Sequence, residues 1–492
     1  MNFKRFVQIV LTVCFCGCSI FTFAVDETSK QNAVACKVGT VKQLFLDDYV
    51  IDKMDGLEKV LQQPRRHSNN PIVRNEHPWE GRGLQAPLVF WDADLNLFRM
   101  YYWAQLPKKI YTCYATSTDG IHWEKPLLGL HNGPDGSKEN NIVLRGIGQE
   151  ARTRYVARNP YSNDPQKKYV AMYIDNVPGL TEFAAYSPDG LNWTTANRIG
   201  DLRGCTGGPP TANPRYFLVE QKWAESPRGR YRGIWRTESQ DLKTWGGGKW
   251  IIERQADDDP DLEFYHAISW FLGQKTYHGL HLGYYYPFHT LPQGKKLGDG
   301  TRMAGLIDTY LMISRDTINW RMIDRSKPFI PCGGKDEWDA GMVFAGPEVV
   351  VGDEIRYYYG AWRREHSAET DNTCAIGLAT LRLDGFVSVE PKEKEGTLLT
   401  KPFVLEGDAL VVNVDASRGS LRVEIQDESG KAIQGYTTMD ASEIRGDNIR
   451  VPVTFNGGNV TGLKGKTVRL SFHLCGARLF AFQLVPNGKK TS

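Results

Sequence analysis

One phrase recurs along this chain: a short alternating strand, a Ser-x-Asp turn and an aromatic residue at a fixed offset. It is clearest at residues 111–126, where Tyr111 to Ser117 alternates, Asp119-Gly120 turns and Trp123 follows. Gly takes positive φ at little cost, which suits it to such a turn, and the aromatic ring can pack back on the sheet. The phrase returns at Phe183 to Trp193, at Gly233 to Trp245 through Ser239 and Asp241, and at Tyr310 to Trp320 through Ser314 and Asp316. A degenerate fifth copy runs from Cys374 to Phe386 around Asp384-Gly385. The anchors Trp123, Trp193, Trp245, Trp320 and Phe386 are 70, 52, 75 and 66 residues apart. That suits one four-stranded sheet with variable loops per copy, the spacing of propeller blades. Asp-Gly and Ser-Asp are also common turn signals in any β-rich chain, and coincidence is the competing explanation.

After Phe386 the texture changes to evenly alternating strands such as 409–414 and 421–425, separated by Gly430, Gly446, Gly457-Gly458 and Gly465. The expectation is an all-β protein, a five-bladed β-propeller over 84–390 followed by a β-sandwich over 391–486 and a tail over 487–492. Residues 25–83 form a lead-in, whose segment 43–51 either completes a blade or bridges to the C-terminal domain. Lys4 and Arg5 precede an apolar run from Phe6 to Phe23 that ends near Ala24. Residues 1–24 therefore read as a signal peptide, and the mature protein as secreted or periplasmic. Phe15 and Cys16 fit a lipoprotein signal at Cys18 poorly.

Cleavage there lowers the formal net charge from +3 to about +1, so neither nucleic acid nor, after cleavage, a membrane is an expected partner. Six cysteines remain, Cys36, Cys113, Cys205, Cys332, Cys374 and Cys475, without Cys-x-x-Cys spacing, so no zinc site is expected. Aromatic residues make up 11% of the chain, which supplies surfaces for stacking on sugars.

In a propeller the first strand of each blade lines the axis, where polar residues from all blades can converge. Aligned on their hairpins, the repeats set Gln85-Ala86-Pro87, Arg158-Asn159-Pro160, Asn213-Pro214, His266-Ala267 and Gly346-Pro347 at one depth. The polar candidates near them are Trp79, Glu80 and Arg82; Arg152, Arg154 and Arg158; the run Asp257 to His266; and Asp336 to Asp339 with Glu348. Carboxylates approaching from several sides are what glycoside hydrolysis requires, one to protonate the leaving oxygen and one to attack the sugar or activate water. The catalytic candidates are Glu263, in strand phase with Tyr265, together with Glu80 and Asp339. Arg82, Arg158, Asp261, Tyr265, His266 and Trp338 are candidates for holding the sugar. Taken singly, each acid could equally be a solvated loop residue or a turn cap. No cofactor is expected, although the oxygen ligands of Asp257 to Asp261 suit a structural calcium.

These blades and the following sandwich resemble the furanosidase-type five-bladed propeller glycosidases, the invertase and arabinofuranosidase group (glycoside hydrolase families 32 and 43 and relatives). The opening Leu44 to Ile51 is similar to that of a bacterial branch of polysaccharide degraders. The resemblance implies a hydrolase of plant or algal poly- or oligosaccharides. It covers the architecture and not the family's acids. Where that group has Asn-Asp-Pro-Asn and Arg-Asp-Pro, this chain has Gln85-Ala86-Pro87 and Arg158-Asn159-Pro160, and it has no Glu-Cys. Any catalytic carboxylates are thus placed differently here. Sialidase-type propellers put a residue between Asp and Gly in their repeated turn, which Asp119-Gly120 lacks. A non-catalytic carbohydrate-binding propeller or degenerate glycosidase is the alternative, and a lyase a further one.

Overall fold

The computed structural model describes residues 36–486 except 108, 178, 201–215, 228, 259–261, 272–280, 290–304 and 367–372. The leader, the tail, Cys205, Asn213-Pro214 and Asp261 all lie outside the described residues. What is described is β-structure with three short 3-10 turns, and no helix in it is long and apolar enough to cross a membrane.

Four antiparallel sheets have four strands each. The first comprises Leu84–Asp92, Leu97–Gln105, Ile110–Ser117 and Ile142–Leu144, and the second Arg152–Arg158, Tyr169–Asn176, Leu180–Ser187 and Thr194–Gly200. The fourth comprises Leu262–Phe271, His281–His289, Tyr310–Ser314 and Arg321–Met322. The fifth joins Met342–Val351, Glu354–Trp362 and Cys374–Arg382 to Arg65–Arg66 from the lead-in, so its outermost strand comes from far upstream. Between the second and fourth lies a sheet with three described strands, Tyr216–Ala224, Tyr231–Ser239 and Gly246–Ile252.

Each sheet buries an apolar face on the next, which makes the arrangement a propeller. Leu88 and Tyr101 of the first sheet pack with Val156 and Tyr173 of the second. Met172 meets Leu218 and Leu242, and Phe217 and Ile234 meet Phe264 and Met312. Leu311 and Ile313 pack with Val343 and Tyr357, and Tyr358 and Leu378 of the fifth sheet return to Met100 and Tyr102 of the first.

The repeated phrase has a local physical cause. Ser117 Oγ accepts from the Gly120 amide at 2.8 Å, while Asp119 Oδ1 accepts from the amides of Ile121 and His122 at 2.8 and 2.9 Å. The Asp bonds recur at Asp189, Asp241 and Asp316 and the Ser bond at Ser187 and Ser239, while Ser314 Oγ donates to Asp316 Oδ1 at 3.0 Å. The side chains replace a strand ladder that has ended and fix a turn whose central φ is positive. Gly120 and Gly190 occupy that position at +75° and +78°, and Leu242 and Thr317 hold it at +61° and +65°.

The turns also seal the seams. The Tyr358 hydroxyl of the fifth sheet donates to Gly120 O, and that of Tyr101 in the first donates to Gly190 O, each at 2.8 Å. Trp123 stands edge-on to Tyr358 at 5.6 Å, and Trp193 to Tyr101 at 6.2 Å. The anchors thus pack against the neighbouring sheet as well as their own turn, to which Trp193 and Trp320 donate from Nε1. Trp123→Ala is expected to lower stability by about 3 kcal/mol through lost packing, the lower end for a large aromatic because Trp123 is only half-buried. Denaturant unfolding measures it, and a change under 1 kcal/mol would show that the seam does not depend on the indole.

The C-terminal region forms a ten-stranded sheet around one apolar core that includes Phe45, Leu410, Val423, Phe472 and Phe482. Its long strand Ala409–Asp427 pairs with Ile444–Val453, Thr467–Cys475 and Arg478–Val485. The lead-in contributes Gln43–Leu44, Ile51–Asp55 and Leu57–Leu61 to this sheet, so segment 43–51 bridges to the C-terminal region, and the fifth sheet is completed instead by Arg65–Arg66 downstream of it. A buried ion pair, Lys42 with Asp384 at 2.9 Å, ties the fifth-sheet turn to the C-terminal sheet. Asn413 extends the tie by donating to Leu383 O and Asp384 Oδ2.

Candidate functional site

The innermost strands of four sheets break register at one level, near their starts. The bulges fall between Gln85 and Leu88, at Arg154, between Phe264 and Ala267, and between Ala345 and Glu348. A bulge adds an unpaired residue and re-aims its side chain, which is why bulges collect beside active sites. Three of the four coincide with the aligned positions, at Gln85-Ala86-Pro87, His266-Ala267 and Gly346-Pro347. The second does not: Arg158 lies at the far end of its strand, beside the first sheet's hairpin turn, where it pairs with Asp94 at 3.0 Å and is 56% exposed. Arg154 occupies the level that the sequence alignment gave to Arg158.

At this level Tyr265 collects groups from several sheets. Its ring stacks on Phe344 of the fifth sheet at 5.8 Å, and its hydroxyl bonds His366 Nε2 at 3.0 Å. The Arg232 guanidinium of the third sheet lies 5.4 Å from its ring centroid. Arg232 also makes an ion pair with Glu263 at 2.8 Å, both side chains being 6% exposed. Gln221, with its amide oriented to suit both neighbours, donates to Tyr265 O at 2.8 Å and accepts from Arg232 Nε at 3.3 Å. From the second sheet, Arg154 sits 4.5 Å from the Trp103 ring centroid, and Trp103 Nε1 donates to Thr153 O at 2.7 Å.

Burial pushes the Tyr265 hydroxyl up, opposed by the positive charges of Arg232, Arg154 and Arg152. Burial lowers both histidines, His266 well below its ordinary value with help from Arg154, and His366 to about 4 with help from Arg232. Both imidazoles are therefore neutral at neutral pH, and His366 keeps its bond to Tyr265 without carrying charge.

This has a measurable consequence. His366 unfolded titrates near 6.5 and folded near 4, so the unfolded chain binds more protons in between. Stability should fall as pH drops through that window and level off below it, by about 3 kcal/mol for this group. Compared with His366→Gln, the wild type should lose that much more stability between pH 7 and pH 4 in denaturant titrations. Parallel losses would show that His366 is protonated in the folded state.

The other expected acids lie in different surroundings. Glu80, fully buried, accepts from the amides of Glu76 and His77 at 2.7 and 3.0 Å and from Tyr102 Oη at 2.8 Å, and pairs with Lys125 at 2.9 Å. Its neighbours Trp79 and Tyr102 belong to the core shared by the first and fifth sheets. Asp339, also fully buried, accepts from Arg66 Nε at 2.9 Å and Tyr359 Oη at 3.2 Å, clamping the strand that closes the fifth sheet. Trp338 stacks on Tyr359 beside it at 5.7 Å. Arg82 is exposed on the approach to the first sheet, its backbone bridging Gln105 and Cys374. Glu263, Tyr265 and His266 share one strand near the axis, whereas Glu80, Asp339 and Arg158 are held by partners elsewhere. Arg232 and His366 were not among the sequence candidates.

Of the acidic run proposed for calcium, Asp258 accepts from the Gln255 amide at 2.7 Å and from Arg325. No group of three or more His, Cys, Asp or Glu is placed to hold a metal among the described residues.

No protein-family model matches the chain, and no curated protein matches it. Among solved structures it is similar to a glycosyl hydrolase from Bacteroides ovatus, with 16% identity over 66% of this chain and 94% of that one and a TM-score of 0.43. Another belongs to a family of mannoside phosphorylases containing glycoside hydrolases that target β-1,2-mannosidic linkages in Candida mannan (14% identity, 70% and 97% covered, TM-score 0.42). A third is an N-acetylgalactosamine deacetylase from F. plautii in complex with blood group B trisaccharide (14% identity, 72% and 96% covered, TM-score 0.41).

Proposed function

We propose that this chain is a secreted glycoside hydrolase acting on plant or algal poly- or oligosaccharides at the bulged end of a five-bladed propeller. In this reading the sheet Tyr216–Ile252 is the third blade. Its Ser239/Asp241 turn follows its second described strand, where the other blades have it after their third. The observation that carries the function is the convergence on Tyr265 of an aromatic ring, a neutral histidine, arginines and, through Arg232, the Glu263 carboxylate. Rings supply faces for a pyranose or furanose, and arginines supply donors for hydroxyls.

Glu263 takes the part of the ionised carboxylate. Arg232 balances its charge in a buried setting, so it is suited to stabilise an oxocarbenium-like transition state or to attack it. A second reading, a carbohydrate-binding propeller without turnover, is favoured by one observation: Glu80 and Asp339 are held in protein bonds away from Glu263. Incubating the full chain with plant and algal polysaccharides and assaying released sugars separates the two readings. Reducing ends released by the wild type and absent with Glu263→Gln support hydrolysis, whereas binding without release supports the second reading.

A further inference from the structure

Resting on the carbohydrate reading above, we propose that Trp223 is an aromatic subsite beside Tyr265, on which a second sugar ring of an oligosaccharide stacks while the first lies against Tyr265 and Glu263. A single exposed ring is ordinary on a protein surface. What singles out Trp223 is its place. Three strands carry a tryptophan near their end: Trp103 opposite Gln85, Trp362 opposite Met342, and Trp223 opposite Arg232. Trp103 and Trp362 are each 7% exposed, the first beneath Arg154 and the second edge-on to Phe344 at 5.0 Å. Trp223 is 47% exposed.

Its connection to the site is direct. Along Tyr216–Ala224, Gln221 and Trp223 share one face, and Gln221 is the residue that reaches Tyr265 O and Arg232 Nε. The Arg232 guanidinium stands 5.3 Å from the Trp223 ring centroid and 5.4 Å from that of Tyr265. One guanidinium thus touches both rings, which puts them within reach of one short oligosaccharide. Because Arg232 is almost buried in its ion pair with Glu263, its part is to fix the spacing of the rings, and the surface offered to a ligand is the indole.

A half-open indole suits a sugar. The C–H bonds on one side of a pyranose or furanose carry partial positive charge and settle on the negative face of the aromatic ring, while the hydroxyls point outward to polar groups. Arg230, at the tip of the same hairpin, lies 4.9 Å from the Trp223 centroid. Its other contact among the described residues is an ion pair with Glu225 at 3.7 Å, between exposed side chains and so screened by water. An arriving sugar can displace it from the ring and use its N–H donors for hydroxyls. A carbohydrate of one ring leaves Trp223 unused, so the subsite selects chains over monosaccharides.

The test is calorimetric titration of the full chain with arabinan, galactan and laminarin oligosaccharides of graded length, each series beside its monosaccharide. In the series that binds, the wild type should hold the oligosaccharides more tightly than the monosaccharide. Trp223→Ala should weaken oligosaccharide binding by about tenfold and leave the affinity for the monosaccharide unchanged. Trp91→Ala, which removes an exposed tryptophan packed on Phe98 in the first sheet, should bind as the wild type does. Trp223→Leu keeps an apolar side chain without an aromatic face; it should show the same loss, and it serves if Trp223→Ala fails to fold. Wild-type affinity for oligosaccharides in a folded Trp223 variant, or an equal loss for monosaccharide and oligosaccharide, overturns the subsite and leaves the carbohydrate reading standing. If the wild type neither binds nor cleaves any of these saccharides, both fall.

Discussion

Glu263→Gln should abolish turnover and also lower stability, by about 2 to 4 kcal/mol. The first effect follows if Glu263 is the carboxylate that meets the developing positive charge of the sugar, since an amide cannot attack or compensate an oxocarbenium ion. The second follows from its surroundings. Glu263 and Arg232 are each 6% exposed and in contact at 2.8 Å, so neutralising one leaves the other as a buried, uncompensated charge. From the sequence alone, Glu263 looks like a removable ionisable group on a channel strand, whose amide would leave the fold untouched. The ion pair changes that expectation. The two effects are separable because removing both charges relieves the buried-charge penalty without restoring the carboxylate. Glu263→Gln with Arg232→Gln should regain part of the lost stability and none of the activity. Chemical unfolding and sugar release, measured at a temperature where all variants are folded, decide between the outcomes. Full activity in the folded single variant would remove Glu263 from the chemistry.

The blades were legible because their signal is local. Ser117, Asp119 and Gly120 satisfy one another within four residues, so the turn is written in the chain wherever it occurs, and Trp123 or Trp193 follows at the same offset. The level of the bulges was legible where proline or a paired aromatic marks them, as at Pro87, Tyr265-His266 and Pro347. It was misread in the second blade because Arg158-Asn159-Pro160 imitates the pattern near a loop, while the true bulge at Arg154 carries no proline. Arg232 and His366 reach Tyr265 from a strand and a loop of other sheets. Nothing in their own neighbourhoods announces this, since the contact exists only once the ring of sheets brings them together. The available signal was the Arg-Thr-Arg alternation at 152–154, which puts two guanidinium groups on one strand face.

Glu80→Ala should be among the most destabilising single changes in the first sheet, by about 3 to 5 kcal/mol, and should leave turnover per folded molecule close to that of the wild type. A surface acid before a blade and a catalytic acid look alike in sequence, but the bonds of this one tell them apart. Both of its oxygens are occupied: backbone amides of Glu76 and His77 donate to Oε2, and Tyr102 Oη donates to Oε1. Lys125, only 5% exposed, closes the set at 2.9 Å. Removing the carboxylate therefore strands a buried ammonium group and leaves three donors without an acceptor, in the seam where the first and fifth sheets meet. Glu80→Gln keeps an acceptor for some of these donors and should recover roughly half of the loss, which a purely catalytic residue would not show. Unfolding midpoints of the two variants, read beside rates corrected for the folded fraction, test the assignment. Wild-type stability combined with lost turnover would return Glu80 to the catalytic candidates and require Lys125 to release it when substrate binds.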